Sequence, residues 1–239
     1  MSNTYFQFKQ FIIHQEHCAM KVCTDACLFG AWVADKVKGK ELVNRNCLDI
    51  GTGTGLLSLM LAQQTDLLID AVEIEEAAAA QAADNFELSP WKNRLQLIPG
   101  DMRSIHLGRK YGLIISNPPF FEQDLKSPDT RRNLALHSEA LSLEELIGIA
   151  RQHLADHGSF AVLLPYERKE ECIAVAAAAR LFLVAATSVK QSDRHSFFRV
   201  MLLFSTEPAV AQHAEITIRE KDNYSESFQN LLRAYYLKR

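Results

Sequence analysis

The four residues Asn117-Pro118-Pro119-Phe120 directly follow the apolar run Leu113–Ser116. Their simplest interpretation is the end of a strand, because proline cannot continue a ladder. The residue types also suit a chemical role, since the Asn117 side-chain oxygen and the Pro118 carbonyl could accept both protons of an exocyclic amine on a planar base. Holding those protons would free the nitrogen lone pair from the ring, while Phe120 would give the ring a face to stack on. Because Pro119 stiffens the turn, the acceptors would be in position before a substrate arrives, which is a large source of rate.

A glycine-rich loop, Asp49-Ile50-Gly51-Thr52-Gly53-Thr54-Gly55, stands between a strand-like run and a helical run. Glycines let the backbone turn sharply and approach a ligand closely, and the N-terminus of the following helix is electropositive. Dinucleotide-binding loops have the spacing G-x-G-x-x-G, which would require a glycine at Leu56. The spacing here is G-x-G-x-G, so a nucleotide-dependent oxidoreductase is disfavoured, and that class would leave the Asn117 segment without a role.

Two acidic residues follow the loop at the ends of later strand-like runs. Glu73 ends the next run, where a carboxylate can accept both hydroxyl protons of a ribose. Asp101 follows the third run and could accept the amine of an adenine, with Met102 packing on its ring. Either acid alone could be a solvated loop residue. Their order behind the glycine loop predicts a cofactor site.

These residues need a scaffold, and the apolar patterning from residue 47 onward indicates alternating strands and helices. Such alternation predicts a mainly parallel sheet with helices on both faces. The last two strands have no helix between them, so we expect them to pair antiparallel at one edge. Strands are predicted at residues 47–50, 67–74, 95–98, 113–116, 159–164, 181–189 and 197–205, and helices at residues 56–64, 75–88, 143–154 and 166–180.

Shorter segments flank this scaffold at both ends. Residues 6–14 contain period-2 stretches that predict a strand, and Thr24 is expected to cap a helix that runs to about Lys36. Residues 225–238 predict a closing helix. The expected organisation is a single domain in three parts: residues 1–46 as an N-terminal extension that packs on the cofactor site, residues 47–206 as the core, and residues 207–239 as a tail of strand and helix.

Composition and charge exclude several classes of protein. With 239 residues, 48% of them hydrophobic, the chain can bury the core of one α/β domain. No run of 18 apolar residues is present and the N-terminus lacks a basic segment followed by an apolar one, so neither a membrane span nor a secretory signal is expected. Five scattered cysteines favour a reducing cytoplasm over a disulfide framework. The net charge of −3 disfavours nucleic-acid binding over the whole surface and is compatible with local basic patches.

A metal site near the N-terminus is also disfavoured. The donors His14, His17, Cys18, Cys23 and Cys27 lie close together in the sequence. Their spacings match none of the usual metal-ligand pairs, and the last two cysteines lie within or beside a helix that we expect to be buried. No metal is therefore expected.

The glycine loop and the Asn117 segment together resemble a known class of enzymes. The loop is similar to the first motif of class I methyltransferases, and Asn117-Pro118-Pro119-Phe120 resembles the fourth motif of amino-methyltransferases, written (D/N/S)-P-P-(Y/F/W). The resemblance implies a Rossmann-like α/β fold with a seven-stranded, mainly parallel sheet, and S-adenosyl-L-methionine as the cofactor. It also implies transfer to an amine of adenine, cytosine or guanine, or to a glutamine side-chain amide.

Nearly the whole chain resembles the bacterial valine-tRNA adenine N6-methyltransferases. The segments that carry the likeness are Phe8–Phe11, His14–Gln15, Cys18–Trp32, the Asn117 segment with Phe121-Glu122-Gln123, and Ala234–Leu237. The resemblance implies methylation of the adenosine 3′ of the anticodon and tRNA as the partner. No obligatory protein partner is evident in the sequence, and none is expected. That family often has tyrosine at the position of Phe120, and guanine-N2 RNA methyltransferases also favour phenylalanine there. Guanine-N2 RNA methylation and protein-glutamine N5-methylation therefore remain alternatives, whereas two intact motifs argue against a non-catalytic RNA-binding module.

The segment from residue 120 to residue 138 shows almost no periodicity. A loop of this length inside a compact domain is usually functional, and this one carries Arg131 and Arg132. We expect it to form a lid over the target base that also touches phosphates. A second basic group, Lys190, Arg194 and Arg199, lies near the last two predicted strands. Groups of surface charges are often merely solvated, so its role in RNA binding is a hypothesis.

The expected site residues fall into three groups, and the resemblance places Lys21, Thr24 and Asp25 beside the methionine end of the cofactor. The expected catalytic residues are Asn117, Pro118, Pro119 and Phe120. The expected cofactor-binding residues are Lys21, Thr24, Asp25, Asp49, Gly51, Gly53, Gly55, Glu73, Asp101, Met102 and Asn117. The expected RNA contacts are Phe121, Arg131, Arg132, Lys190, Arg194 and Arg199.

Overall fold

A sheet of nine strands forms the centre of the protein. The computed structural model describes residues 3–18, 21–39, 42–119 and 141–237. The strands are β1 (Tyr5–Gln7), β2 (Ile12–His14), β3 (Asn46–Ile50), β4 (Leu68–Glu73), β5 (Leu95–Pro99), β6 (Tyr111–Ser116), β7 (Leu154–Pro165), β8 (Phe182–Ser192), β9 (Phe197–Ser205), β10 (Gln212–Glu220) and β11 (Asn223–Tyr224). The helices are α1 (Thr24–Val37), α2 (Leu56–Gln64), α3 (Glu76–Glu87), α4 (Leu143–His153), α5 (Lys169–Ala178) and α6 (Glu226–Leu232), with 3-10 turns at Lys92–Arg94 and Tyr166–Arg168. None of the helices in these ranges is long and apolar enough to cross a membrane.

The strand order of the sheet is β11-β10-β8-β9-β7-β6-β3-β4-β5. Strands β3 to β7 pair in parallel, and β9 runs antiparallel to both of its neighbours, β7 and β8. Because β10 pairs in parallel with β8, both strands point the same way as β3 to β7. We call the edge at which these strands end, and at which β9 begins, the carboxyl edge. Ligands of open α/β sheets bind outside this edge.

Apolar clusters cover both faces of the sheet, and the alternation along β6 shows how. Leu113 and Ile115 belong to a first cluster, whereas Ile114 between them belongs to a second. This is the period-2 pattern of a strand that is buried on both faces. The first cluster includes apolar side chains of α1, α2, α3 and α6, and the second includes those of α4 and α5.

The N-terminal and C-terminal segments meet on the face of the first cluster. Strands β1 and β2 form an antiparallel hairpin outside the main sheet, with Phe8 and Phe11 stacked at a ring distance of 4.4 Å. The N–H of Lys9 donates to the Tyr235 carbonyl at 2.8 Å. The Phe8 ring also lies 6.0 Å from that of Tyr236. The hairpin is therefore held by both a backbone bond and aromatic packing.

The expected alternation of strands and helices is confirmed, and so is the antiparallel pairing of the strands at 181–189 and 197–205. The expected number of seven strands is too low, because β10 and β11 continue the sheet beyond β8 to give nine. Most of β10 is exposed, and it buries only Ile216 and Ile218. An outer strand of this kind keeps too many polar residues to show a clear apolar pattern.

Several predicted boundaries are also corrected by the structure. The N-cap of α1 is Cys23, and Thr24 is the first helical residue, with no side-chain capping bond at this end. The segment predicted as one strand at residues 6–14 is the hairpin of β1 and β2. The closing helix is shorter than predicted, since α6 begins after the N-cap Ser225, whose hydroxyl accepts from the Phe228 N–H at 3.2 Å.

Candidate active site

The glycine-rich loop lies at the carboxyl edge, between β3 and α2. Gly51, Gly53 and Gly55 have φ angles of +73°, +57° and +81°. Residues with a side chain adopt this left-handed region only at a cost. The N–H groups of Gly51 and Thr52 both donate to the Val72 carbonyl, at 2.9 and 3.0 Å. The glycines therefore allow the backbone of the loop to adopt its left-handed turns. The hydrogen bonds to β4 hold the loop in place.

Asp49 supports the loop from the end of β3 and is fully buried. Its Oδ2 accepts hydrogen bonds from the hydroxyls of Thr52 and Ser58, both at 2.7 Å, while its Oδ1 has no partner among the residues that the structure describes. Burial raises the pKa of the Asp49 carboxyl to about 6, although the two hydroxyls oppose this shift. A buried acceptor that lacks a donor destabilises the folded protein. A ligand N–H or ammonium group bound here would supply the missing donor.

Glu73 connects the end of β4 to the same loop and is almost buried. Its Oε2 accepts from the N–H of Gly53 at 2.8 Å, and its Oε1 accepts from the N–H of Glu75 at 3.0 Å. An ionised carboxylate has about four acceptor positions. Glu73 can therefore hold the loop in place and still accept a hydrogen bond from a ligand hydroxyl.

The face above the first two glycines is open. Among the described residues, a Cβ built on Gly51 or Gly53 would meet no other heavy atom within 4 Å, whereas one on Gly55 would lie 2.5 Å from Cε1 of Phe86. Gly55 thus allows α3 to pack closely, and the other two glycines leave a cradle. This cradle, together with the unpaired oxygen of Asp49, fits S-adenosylmethionine, which carries an amino group and ribose hydroxyls.

Asp101 and Met102 lie beside Glu73 at the end of the neighbouring strand, where the N–H of Gly100 donates to the Glu73 carbonyl at 2.7 Å. Asp101 forms an ion pair with Arg103 at 2.7 Å, and that guanidinium holds the pKa of the carboxyl below its usual value. Met102 is buried within the second cluster. The expected contacts of Asp101 and Met102 with an adenine stay predictions.

Asn117 is placed next to the glycine loop by the pairing of β6 with β3. Ile50 and Ser116 are register partners, and the Ser116 hydroxyl donates to the Ile50 carbonyl at 2.8 Å. Asn117 and Pro118, directly beyond Ser116, are partly buried, and Pro119 is exposed. The predicted amine acceptors therefore stand on the strand adjacent to the one that carries the loop.

The N-terminal segment reaches the carboxyl edge through an ion pair. Nε of Arg199, near the start of β9, donates to Oδ2 of Asp25 at 2.9 Å, and both side chains are mostly buried. Lys21 and Thr24 are exposed, and Nζ of Lys21 donates to the Asn3 carbonyl at 3.4 Å. Asp25 is thus held at the carboxyl edge, while cofactor contacts of these three N-terminal residues stay predictions.

The expected RNA contacts divide into two groups. Lys190, Arg194 and Arg199 lie at the carboxyl edge, on β8, on β9 and on the turn between them. Lys190 forms an ion pair with Asp193 at 3.2 Å, and Arg194 is exposed. The remaining expected RNA contacts, Phe121, Arg131 and Arg132, lie outside the described residues, as do the expected catalytic residue Phe120 and the expected lid.

Sequence reasoning missed two residues that shape this site. Asn85 of α3 is buried, and its side chain bonds both backbone groups of His14 and the Thr54 carbonyl, each at 2.9 Å. An asparagine within an alanine-rich helix was the available signal. Ile74 is 43% exposed directly after Glu73. An apolar residue next to a strand-end acid was the signal for this second position.

The cysteines near the site are not activated. Cys23 is exposed, whereas burial is the main cause that raises the pKa of Cys18 to about 11 and that of Cys27 to about 12. Such thiols stay protonated at neutral pH, which makes them poor nucleophiles and poor metal ligands. In the described ranges of the chain, no group of three or more His, Cys, Asp or Glu side chains could hold a metal ion.

Known sequences match this chain over its full length. The methyltransferase small domain family matches residues 31–173. A relative from Parabacteroides distasonis is 39% identical over 242 residues, covering 100% of both chains. A relative from Tolumonas auensis is 40% identical over 241 residues, covering 100% of this chain and 99% of its own. Both relatives are named tRNA1(Val) (adenine(37)-N6)-methyltransferase.

Solved structures share the fold at much lower identity. A crystal structure described as a predicted O-methyltransferase from Agrobacterium tumefaciens has a TM-score of 0.67 at 15% identity, covering 88% of this chain and 96% of that one. A glycopeptide N-methyltransferase in complex with S-adenosyl-L-methionine has a TM-score of 0.56 at 12% identity, covering 75% of this chain and 93% of that one. The fold is that of class I methyltransferases, and the full-length relatives show that the chain belongs to the tRNA1(Val) (adenine(37)-N6)-methyltransferase family.

Proposed function

We propose that this protein transfers the methyl group of S-adenosylmethionine to N6 of adenosine 37, the nucleotide 3′ of the anticodon, in tRNA1(Val). The names of the full-length relatives support this substrate. The single structural observation that carries the reaction is the bond from Ser116 to the Ile50 carbonyl, which sets Asn117 beside the glycine loop. The partner would be tRNA, encountered in the cytoplasm, and no obligatory protein partner is proposed.

The residues that would hold the cofactor follow from the described contacts. The open face of Gly51 and Gly53 would admit its amino-acid part, with Oδ1 of Asp49 accepting from the amino group. Glu73 would accept from the ribose hydroxyls, and Ile74 beside it offers exposed apolar surface to the adenine. When bound, S-adenosylmethionine supplies an activated methyl group.

Asn117 and Pro118 would act on the target base. The Asn117 side-chain oxygen and the Pro118 carbonyl would each accept one hydrogen bond from the N6 amine. The nitrogen would then be favoured in a pyramidal form, with its lone pair directed out of the ring plane. Preorganised acceptors of this kind need no rearrangement during the reaction, which is why they contribute strongly to rate.

Identification of the methylated nucleoside tests this proposal. The protein is incubated with methyl-labelled S-adenosylmethionine and total bacterial tRNA, and the RNA is then digested to nucleosides. We expect N6-methyladenosine as the labelled product, mapping to position 37 of valine tRNA. A transcript with guanosine at that position is the control and should stay unlabelled. Labelled N2-methylguanosine would contradict the adenine assignment, and label confined to protein glutamine would contradict RNA as the substrate.

A further inference from the structure

Two partly exposed aromatic rings lie at the carboxyl edge, away from the Asn117 segment. Tyr166 directly follows the end of β7, and Phe197 is the first residue of β9. Their ring centroids are 5.1 Å apart, and the ring planes are tilted by 36°. Tyr166 packs against the second cluster, whereas Phe197 belongs to neither cluster in the part of the chain that the structure describes. Packing of the core therefore does not account for Phe197.

A β-bulge sets the direction of Phe197. Val189 of β8 is the register partner of Arg199, but the next residue, Lys190, is the partner of Phe197. Phe198 is therefore an extra residue on β9. Bulges re-aim side chains and are frequent beside active sites. Here Phe198 packs on the first cluster, while Phe197 is turned to Tyr166.

Cations adjoin both rings. Nζ of Lys169 lies 6.0 Å from the centroid of the Tyr166 ring, and Lys190 is the cross-strand neighbour of Phe197. Proteins that bind single-stranded nucleic acids combine aromatic faces, on which bases stack, with cations along the phosphate backbone. The surface beside the end of β7 and the start of β9 has both aromatic rings and cations.

At this surface, the aromatic rings should contribute more to the binding of a nucleic acid than the net charge does. Lys169 lies 3.5 Å from Glu170, and Lys190 lies 3.2 Å from Asp193, so each cation has an acidic neighbour. The acidic partners in the two pairs are 82% and 71% exposed, and ion pairs with such an exposed partner are weak and are screened by salt. We therefore assign the binding energy of this surface mainly to stacking, which salt affects little.

Phe197 is too far from Asn117 to hold the target base itself. Strand β7 separates β6 from β9, which gives a lateral distance of about 10 Å. Ser116 is level with Leu202 through Val162. Because Phe198 is an extra residue, Phe197 stands four ladder positions further out than Leu202, from Ala186 to Lys190 on the partner strand, which is about 13 Å at about 3.3 Å per residue and therefore about 10 Å beyond Asn117. A nucleotide that neighbours the target adenosine in the same RNA could span this separation.

We propose that Tyr166 and Phe197 form a stacking platform for a second unpaired base of the RNA loop that carries the target adenosine. This proposal rests on the proposed function, because it concerns the RNA of that reaction. The platform holds a neighbouring part of the loop while the target base lies at Asn117. It thereby favours loops that present an unpaired base at the correct distance, which makes the two rings specificity-determining residues.

Substitution of the exposed ring provides the first test. Phe197→Leu keeps apolar bulk and removes the aromatic face, so we expect RNA binding to weaken by about 5- to 100-fold, the range that stacking of one base supports. Phe197→Trp should bind RNA at least as well as the wild type. Tyr5→Leu on the N-terminal hairpin removes a ring that is more exposed than that of Phe197, and it should leave RNA affinity unchanged. Affinity for S-adenosylmethionine, which should match the wild type in all variants, checks the fold.

A thermodynamic cycle with modified RNA separates stacking from a structural effect. Anticodon stem–loops with one abasic site at each loop position in turn are measured against the wild type and Phe197→Leu. We expect one position, other than the target, at which the abasic site weakens binding to the wild type but hardly affects binding to the variant. Additive losses at every position would overturn the platform. If the losses are additive but the wild type methylates tRNA adenosine, the stacking platform is wrong and the proposed function stands. If the wild type methylates no tRNA adenosine, the proposed function is wrong.

Discussion

The Asp25 carboxylate and the Arg199 guanidinium, 174 residues apart in the sequence, form an ion pair of 2.9 Å at the carboxyl edge. The side chains are 17% and 22% exposed, so the pair is shielded from most solvent screening. It joins the start of α1 to the start of β9. Arg199 was expected from the sequence to contact RNA, and its observed partner favours a positioning role.

A double-mutant cycle tests this ion pair. We expect Asp25→Asn and Arg199→Gln each to lower the free energy of unfolding by about 1–2 kcal/mol, and the double variant to lose little more than either one. Urea denaturation of the four proteins measures this coupling. RNA binding is then measured against salt concentration. A phosphate contact by Arg199 would make the slope of the Arg199→Gln variant shallower by about 0.7–0.9, whereas a positioning role leaves the slope unchanged.

Asn117 should affect turnover far more than cofactor binding, because its proposed partner is the substrate amine. We expect Asn117→Ala to lower the turnover number by about 100- to 1,000-fold, the usual effect of removing one preorganised polar group. Calorimetry with S-adenosylmethionine should show almost unchanged affinity. Asn117→Asp keeps an acceptor in place and should retain measurable turnover. Near-normal turnover by the alanine variant would rule out the assigned role.

Glu73 should determine cofactor affinity, in contrast to its neighbour Glu75. Glu73→Ala removes the acceptor for Gly53 and for a ribose, so affinity for S-adenosylmethionine should fall by about 1–3 kcal/mol. Glu75 caps α3 by accepting from the N–H groups of Ala77 and Ala78. Glu75→Ala should therefore cost about 1 kcal/mol of stability and leave cofactor affinity nearly intact. Equal losses of affinity in both variants would show that Glu73 has no specific contact.

The pKa of Asp49 predicts a pH-dependent stability. The folded protein holds a proton on Asp49 up to about pH 6, whereas an unfolded aspartate releases it near 3.8. The native state therefore binds more protons between these values, and the contribution of Asp49 to stability is present below pH 4 and is lost as the pH rises through 6. The loss should be about 2–3 kcal/mol. Unfolding of the wild type and Asp49→Asn between pH 4 and pH 7 measures it, and a pH-independent difference between them would contradict the raised pKa.

Gly55 should be the least replaceable glycine of the loop for stability. Gly55→Ala combines a left-handed backbone with a Cβ placed 2.5 Å from the Phe86 ring, so we expect a loss of about 2–4 kcal/mol. The new Cβ of Gly51→Ala meets no atom of the described residues within 4 Å, so this change should cost only the left-handed backbone strain of about 1–2 kcal/mol. Phe86→Leu should relieve part of the Gly55→Ala defect, which thermal or urea unfolding would show.

The parts of the site that could be predicted from sequence are those with local signals. Glycine spacing, a strand-end acid and the segment at Asn117 each occupy a few consecutive residues, and the structure gathers them at one edge of the sheet. The contacts of Asn85 and the pair of Asp25 with Arg199 depend on residues far apart in the chain. The bulge at Phe198 depends on strand register, which no single segment specifies.

The side chain of Asn85 bonds both Thr54 of the glycine-rich loop and His14 of the N-terminal hairpin. The ordering of the loop and the ordering of the hairpin are therefore coupled. Any ligand that restrains Thr54 also restrains the hairpin. By thermodynamic reciprocity, a change that loosens the hairpin lowers the affinity for that ligand by the same free energy. Amide hydrogen exchange in β2 should therefore slow when S-adenosylmethionine binds, although β2 carries no expected cofactor contact.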